Sequence, residues 1–296
     1  MAWHSPDGWL TQGLAPHVST ITITFIITLA LPIFVHWYLY RSRAATVTPK
    51  FLVLGPSGAG KTALITTLER GAPTATHTSL TPLTIAAPLP ATHTPSSARY
   101  RSTNDAALRL VPILFTDTPG HGKLRHLALG LITPAPPTPP PTGLIFVVDA
   151  AALSSEADNA GLRDAAEYLH DVLLALQRAY ERAKSSVARE IPLVVVAGKL
   201  DLFTALPAGV VRSLLEAEIG RVRETKARGI VGVGKGGDGL GGEEVVEEGA
   251  LGGRAEGKFE FGVMEEWGIK VSVVGGNVRG EGPGVTGLWD WVAGQI

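Results

Sequence analysis

Residues 51–62, FLVLGPSGAGKT, restrict the possible folds of this chain more than any other stretch. An apolar run ends at Gly55, four residues lead to Gly60, and Lys61 and Thr62 open a helical pattern. Glycines there let successive backbone N–H groups turn inward, and the N-terminus of the following helix adds the positive end of its dipole. Such a cradle suits a chain of phosphates, with the Lys61 ammonium on the outer phosphates and the Thr62 hydroxyl on Mg²⁺. Gly55, Pro56, Ser57, Gly58, Ala59, Gly60, Lys61 and Thr62 are the candidate phosphate-binding residues. A glycine-rich turn with a solvated lysine is the competing reading, and the strand-to-helix context argues against it.

Two further elements follow in order. An apolar strand over 108–116 runs into Asp117-Thr118-Pro119-Gly120-His121. A carboxylate at a strand end beside a phosphate loop holds Mg²⁺ directly or through water, and the Gly120 N–H can reach a terminal phosphate. Farther on, IPLVVVA leads into Gly198-Lys199-Leu200-Asp201. There Asp201 can accept from guanine N1–H and its exocyclic amine, a pair adenine does not offer, while the Lys199 stem lies over the base. Read alone, Asp201 could be a helix N-cap; its place after the other two elements favours base reading.

The remaining pattern alternates apolar runs with amphipathic ones, which predicts an α/β fold with a mostly parallel sheet. Strands are expected at 51–55, 108–116, 144–150, 191–197 and 269–274, and helices at 61–70, 158–184, 208–226 and 285–293. Two stretches stand outside this pattern. Residues 133–143 hold six prolines in eleven, which implies an extended loop. Residues 229–257 hold twelve glycines in 29 and are expected to form a flexible insert. The chain has no cysteine, which excludes a disulfide framework and thiolate chemistry. A net charge of −1 supplies no field for a polyanion, so direct nucleic-acid binding is not expected.

Residues 18–40 contain no Asp, Glu, Lys or Arg. As a helix they would run roughly 35 Å at 1.5 Å per residue, enough to span a hydrocarbon core of about 30 Å. Trp37, Tyr38 and Tyr40 lie at one end, and Arg41, Arg43 and Lys50 follow, while residues 1–17 hold no Lys or Arg. The positive-inside rule then predicts a short lumenal tail (1–17), a transmembrane helix (18–40), a linker (41–50) and a cytosolic domain (51–296). A cleaved signal peptide would want a basic start, which is missing.

Taken together, these motifs resemble the GTP-binding domain of the Ras-like superfamily, a P-loop NTPase fold with helices on both faces of the sheet. With the N-terminal span, the chain resembles the beta-subunit family of the signal recognition particle receptor, an Arf/Sar-like branch. Thr76-His77-Thr78-Ser79-Leu80 resembles that family's switch I, and Asp117–His121 with Lys123-Leu124-Arg125 its switch II. The resemblance implies GTP and Mg²⁺ as ligands, Thr62, Thr78 and Asp117 around the metal, and Gly120, Gly198, Lys199, Asp201 and Ser272 toward the nucleotide. Its implied partners are the receptor's alpha subunit, the membrane, and the ribosome or translocon, with residence in the endoplasmic-reticulum membrane.

Two departures stand out. The family's base-reading motif begins with Asn where this chain has Gly198, which removes a side-chain bond worth on the order of 1 kcal/mol. His121 stands where many Ras-like enzymes carry a water-orienting glutamine. It either does the same work or faces away and leaves hydrolysis slow until a partner acts. A GTP-locked scaffold without turnover is therefore the second reading, and another membrane-anchored Arf/Sar-like GTPase the third. A nucleotide kinase or ATPase subunit would leave the Asp117 and Lys199–Asp201 motifs coincidental.

Overall fold

The computed structural model describes residues 18–43, 48–90, 92–93, 112–134, 138–154, 159–182, 190–234, 251–253 and 257–296. Two compact units divide the chain, Met1–Val47 and Thr48–Ile296. Among the described residues the first contains one helix, α1 (Val18–Arg43), long and apolar enough to cross a membrane. Its threonines return their hydroxyls to the helix: Thr22 donates to the Val18 carbonyl at 2.6 Å and Thr28 to that of Thr24 at 2.8 Å. Polar side chains so satisfied are tolerated in an apolar helix. The expected tail at 1–17 lies outside the described residues.

The second unit is built on a six-stranded sheet. In chain order its main elements are β1 (Lys50–Leu54), α2 (Lys61–Arg70), β2 (Leu83–Ala87), β3 (Ile113–Asp117), α3 (Arg125–Ile132), β4 (Gly143–Asp149), α4 (Ala160–Arg182), β5 (Leu193–Gly198), α5 (Ala208–Gly234), β6 (Val271–Gly275) and α6 (Thr286–Gly294). Sheet order is β2-β3-β1-β4-β5-β6, with only β2 antiparallel. This is the mostly parallel α/β sheet that the alternating pattern predicts.

Alternate residues of each buried strand face opposite sides, which divides the core in two. Leu52, Leu54, Phe146 and Val195 pack under α3, α4 and α5, against Leu169, Leu173 and Leu215. Phe51, Val53, Ile145 and Val196 face α2 and α6, where Ile65, Leu288 and Trp289 close the layer. Phe51 stacks on Phe115 and meets Trp291 edge-on, with centroids 5.8 and 5.9 Å apart. Both faces are covered, as a parallel sheet requires.

Three expectations need correction. β2 has no counterpart among the predicted strands. It is an edge strand, LTIAA, with Leu83, Thr84 and Ala86 exposed, so it lacks the apolar run that marks a buried strand. The strand expected over 108–116 is described only from Ile113, and it continues to Asp117. Within 229–257, helix α5 continues to Gly234 rather than ending at Lys226. At the other end of that stretch Leu251 is 1% exposed, Gly252 N donates to Gln177 Oε1 at 3.0 Å, and Arg223 Nη2 donates to the Gly257 carbonyl at 2.6 Å. Both ends of the glycine-rich stretch are thus structural; residues 235–250 lie outside the described residues.

Candidate nucleotide site

The phosphate loop joins β1 to α2 along the C-terminal edge of the sheet. Gly55 has φ of 139°, and a β-carbon there would collide with the Val147 carbonyl on β4. Gly60 has φ of 92° and caps α2, its carbonyl accepting from Leu64 N at 2.9 Å. Lys61 is 5% exposed, and its Nζ donates to the carbonyls of Gly55 (2.9 Å) and Pro56 (2.8 Å). Burial lowers its pKa from 10.5 to about 8; the Asp117 charge opposes that fall and Arg125 adds to it. A desolvated ammonium enclosed by backbone is poised to gain from an incoming anion.

Asp117, at the end of β3, is 1% exposed and accepts from the Thr62 hydroxyl at 2.7 Å through Oδ2. Its Oδ1 is buried with no hydrogen-bond partner among the described residues. An orphaned carboxylate oxygen next to a hydroxyl is an all-oxygen donor set that suits a hard cation such as Mg²⁺. The residues present therefore fit the metal. The neighbouring Thr118 is structural: its hydroxyl donates to the Val53 carbonyl at 2.7 Å.

Gly120 lies directly on the phosphate loop. A β-carbon there would sit 2.7 Å from the Gly55 carbonyl oxygen and would run into Lys61 Nζ. Thr78 is exposed in an irregular stretch, yet with Thr76, His77 and Ser79 it lines a cavity of about 180 Å³ that Ser57, Gly58, Lys61, Thr62 and Gly120 complete. His121 is exposed and is the N-cap of a short 3-10 turn, Gly122–Leu124, with Nδ1 accepting from Lys123 N at 3.3 Å. That bond occupies the ring nitrogen nearer the backbone and turns the imidazole to its own turn.

A second cavity, about 500 Å³, adjoins the first and shares Gly60, Ala63 and Thr76 with it. Gly198, Lys199 and Asp201 line it from the β5 side and Gly275, Gly276, Asn277 and Arg279 from the β6 side. Lys199 has φ of 61°, alone among the described non-glycine residues in being positive, and its ammonium pairs with the Asp149 carboxylate. Asp149 also accepts from Ala151 N (3.1 Å) and Ala152 N (3.2 Å), so the β4 end and Lys199 are fixed together.

Ser272, singled out in the sequence, lines neither cavity, and nor does His121; for Ser272 the cause is its place in the strand. Ser272 sits inside β6, in register with Val194, and the cavity wall at that edge is Gly275, Gly276 and Asn277. The reason is the length of the strand: β6 runs to Gly275, which carries the loop onset three residues beyond Ser272. Asp149 and Asn277 had no motif to mark them, while Arg125 belongs to the Lys123-Leu124-Arg125 stretch that follows His121. Arg125, at the start of α3, donates through Nη2 to Asp164 at 2.7 Å and lies 4.5 Å from the Tyr168 ring centroid.

A buried lysine in a ring of backbone, a hydroxyl–carboxylate pair and an adjoining cavity ending in an exposed carboxylate can together hold an anionic chain at one end and a donor-bearing ring at the other. Comparison with known proteins identifies relatives of the chain. A family model described as the signal recognition particle receptor beta subunit matches residues 46–265. The signal recognition particle receptor subunit beta of Saccharomyces cerevisiae is 31% identical over 183 residues, 62% of this chain and 61% of the yeast protein. The chain thus aligns with about three fifths of that relative's length. Among solved structures, the SRb-GTP/SRX complex of the receptor from Chaetomium thermophilum is 34% identical with a TM-score of 0.66, covering 83% of this chain and 99% of that one. The SRb-GDP-Mg structure from the same organism is 36% identical with a TM-score of 0.60, covering 85% and 100%.

Proposed function

This chain belongs to the signal recognition particle receptor beta subunit family, and from that premise we propose that it is a membrane-anchored, guanine-nucleotide-dependent subunit of that receptor. The observation that carries the proposal is the pairing of a buried Lys61 with the Thr62–Asp117 couple at one end of a trough whose other end is closed by Asp201.

In this reading the backbone of residues 55–60 and the Lys61 ammonium bind the phosphates of GTP. Thr62, Thr78 and Asp117 surround Mg²⁺, which when bound neutralises charge between the outer phosphates. Lys199, held by Asp149, lies along the base, and Asp201 accepts from the guanine edge. The Gly120 N–H and Thr78 respond to the terminal phosphate, ordering the segments around 76–79 and 117–125. That ordered surface is what the receptor's alpha subunit would bind; the existence of an SRb-GTP/SRX complex in the Chaetomium relative supports a partner for the GTP state. Helix α1 anchors the protein, and residence in the endoplasmic reticulum follows from the family's role in membrane targeting.

A GTP-locked scaffold is the second reading, and the position of His121 favours it: the ring is exposed, and its Nδ1 is bonded to its own turn rather than to the phosphate-loop residues. Single-turnover hydrolysis with and without the alpha subunit separates the two readings.

The primary test uses the full chain in detergent with a fluorescent guanine nucleotide and Mg²⁺. GTP and GDP should displace the probe, and ATP should not at equal concentration. Equal displacement by ATP and GTP would defeat the proposal.

A further inference from the structure

We infer that Asn277 is a specificity-determining positioning residue, which clamps the loop after β6 and so holds it against Asp201. This deepens the guanine-nucleotide reading and rests on it. Asn277 is 5% exposed, and its amide is spent on its own loop. Nδ2 donates to the carbonyls of Arg279 (2.8 Å) and Gly280 (3.4 Å), and Oδ1 accepts from Gly284 N at 2.6 Å. The backbone N of Asn277 also donates to the Gly284 carbonyl at 3.1 Å. Residues 277–284 are thereby closed into a ring around one carboxamide.

The loop is in contact with the base-reading carboxylate. A β-carbon at Gly280 would stand 2.9 Å from Asp201 Cβ and 3.6 Å from its Oδ2. Gly280, Gly282 and Gly284 have φ of 71°, 157° and 61°. A loop with so many glycines is costly to order, so without the clamp it would lose this shape. The backbone around Asp201 is held by Leu202 N donating to the Lys199 carbonyl at 3.0 Å, and the start of the β6 loop by Gly276 N to the Ala197 carbonyl at 2.9 Å and Leu200 N to the Gly276 carbonyl at 3.4 Å. Those bonds fix the main chain and not the Asp201 side chain: Gly198 brings no side chain, and Lys199 is turned to Asp149. An exposed carboxylate accepting two parallel N–H bonds needs a fixed plane. The Asn277 clamp supplies the wall that keeps it.

The test compares GTP with ITP, which lacks the exocyclic amine, on the full chain in detergent. In the wild type GTP should bind more tightly than ITP. Asn277→Ala should weaken GTP by about tenfold or more, the scale of a bond to a charged group, while ITP changes far less, so the GTP-over-ITP preference collapses. Asn277→Asp should do no better, because it turns a carboxylate oxygen toward two carbonyls. Gly280→Ala, which presses directly on Asp201, should lower the same preference by an independent route and keeps the inference open to refutation if the Asn277 variants do not fold. Retention of the preference in these variants, or an equal loss of GTP and ITP, overturns the inference while leaving the site reading intact. A wild type with no preference for GTP over ATP brings down the site reading and this inference with it.

Discussion

The Thr62 hydroxyl donates to Oδ2 of Asp117 at 2.7 Å, joining the first turn of α2 to the end of β3. Asp117 Oδ1 is buried with no hydrogen-bond partner among the described residues, which leaves an acceptor open beside the Thr62 hydroxyl. Thr62→Ala should therefore make nucleotide binding nearly insensitive to Mg²⁺. The measurement is GTP affinity with and without EDTA. The wild type should lose affinity on chelation, and the variant, already weaker by roughly tenfold or more on the scale of metal-site changes, should change little.

Lys61 gives a pH signature. Its pKa is about 8 when folded and 10.5 as a free side chain. Between those values the unfolded chain holds a proton that the folded chain has released, so stability rises with pH across that window. The burial cost of the ammonium is complete below about pH 8 and is relieved toward pH 10.5. Urea unfolding of the nucleotide-free protein should show the wild type gaining on Lys61→Met as pH rises from 8 to 10.5. Bound phosphates favour the charged form, so GTP affinity should fall above about pH 8, and calorimetry in two buffers should detect proton uptake on binding there.

Gly120 is sterically sealed against the phosphate loop. Gly120→Ala would place a β-carbon 2.7 Å from the Gly55 carbonyl oxygen, a contact that backbone cannot relax cheaply. The expected cost is about 1–3 kcal/mol of stability, as for overpacking elsewhere, together with a loop pushed off the phosphate end. Thermal unfolding reads the first, and the loss of any GTP-over-GDP difference in affinity reads the second.

Arg125 connects the segment after Gly120 to α4. Its guanidinium meets Asp164 at 2.7 Å and the Tyr168 ring at 4.5 Å, and burial pushes the Tyr168 hydroxyl up to about 12. Asp164 is half exposed, so a double-mutant cycle of Arg125→Ala with Asp164→Ala should give a coupling of only about 0.5–1 kcal/mol. Arg125→Ala alone should cost more, about 1–2 kcal/mol, since it also removes the ring contact.

Local chemistry accounts for what was legible in the sequence. The phosphate loop could be read because glycine spacing and the strand-to-helix switch are themselves the requirement: Gly55 at 139° and Gly60 at 92° are conformations that other residues rarely adopt. Buried strands announced themselves as apolar runs, and α2 as a periodic stretch after Lys61. By the same logic the edge strand β2 was silent, because half-exposed residues such as Leu83 and Thr84 carry no burial signal.

The sequence by itself determined the fold class, most of the buried elements, the apolar span and the glycine-lysine loop after β1, since each leaves a pattern within a short stretch of chain. Tertiary structure alone decided which residues close the larger cavity. The β6 register moved Ser272 away from the cavity and brought Gly275, Gly276 and Asn277 in, and Asp149 met Lys199 across 50 positions. Strand register and long-range pairing come from how whole layers pack, and no short stretch of chain encodes them.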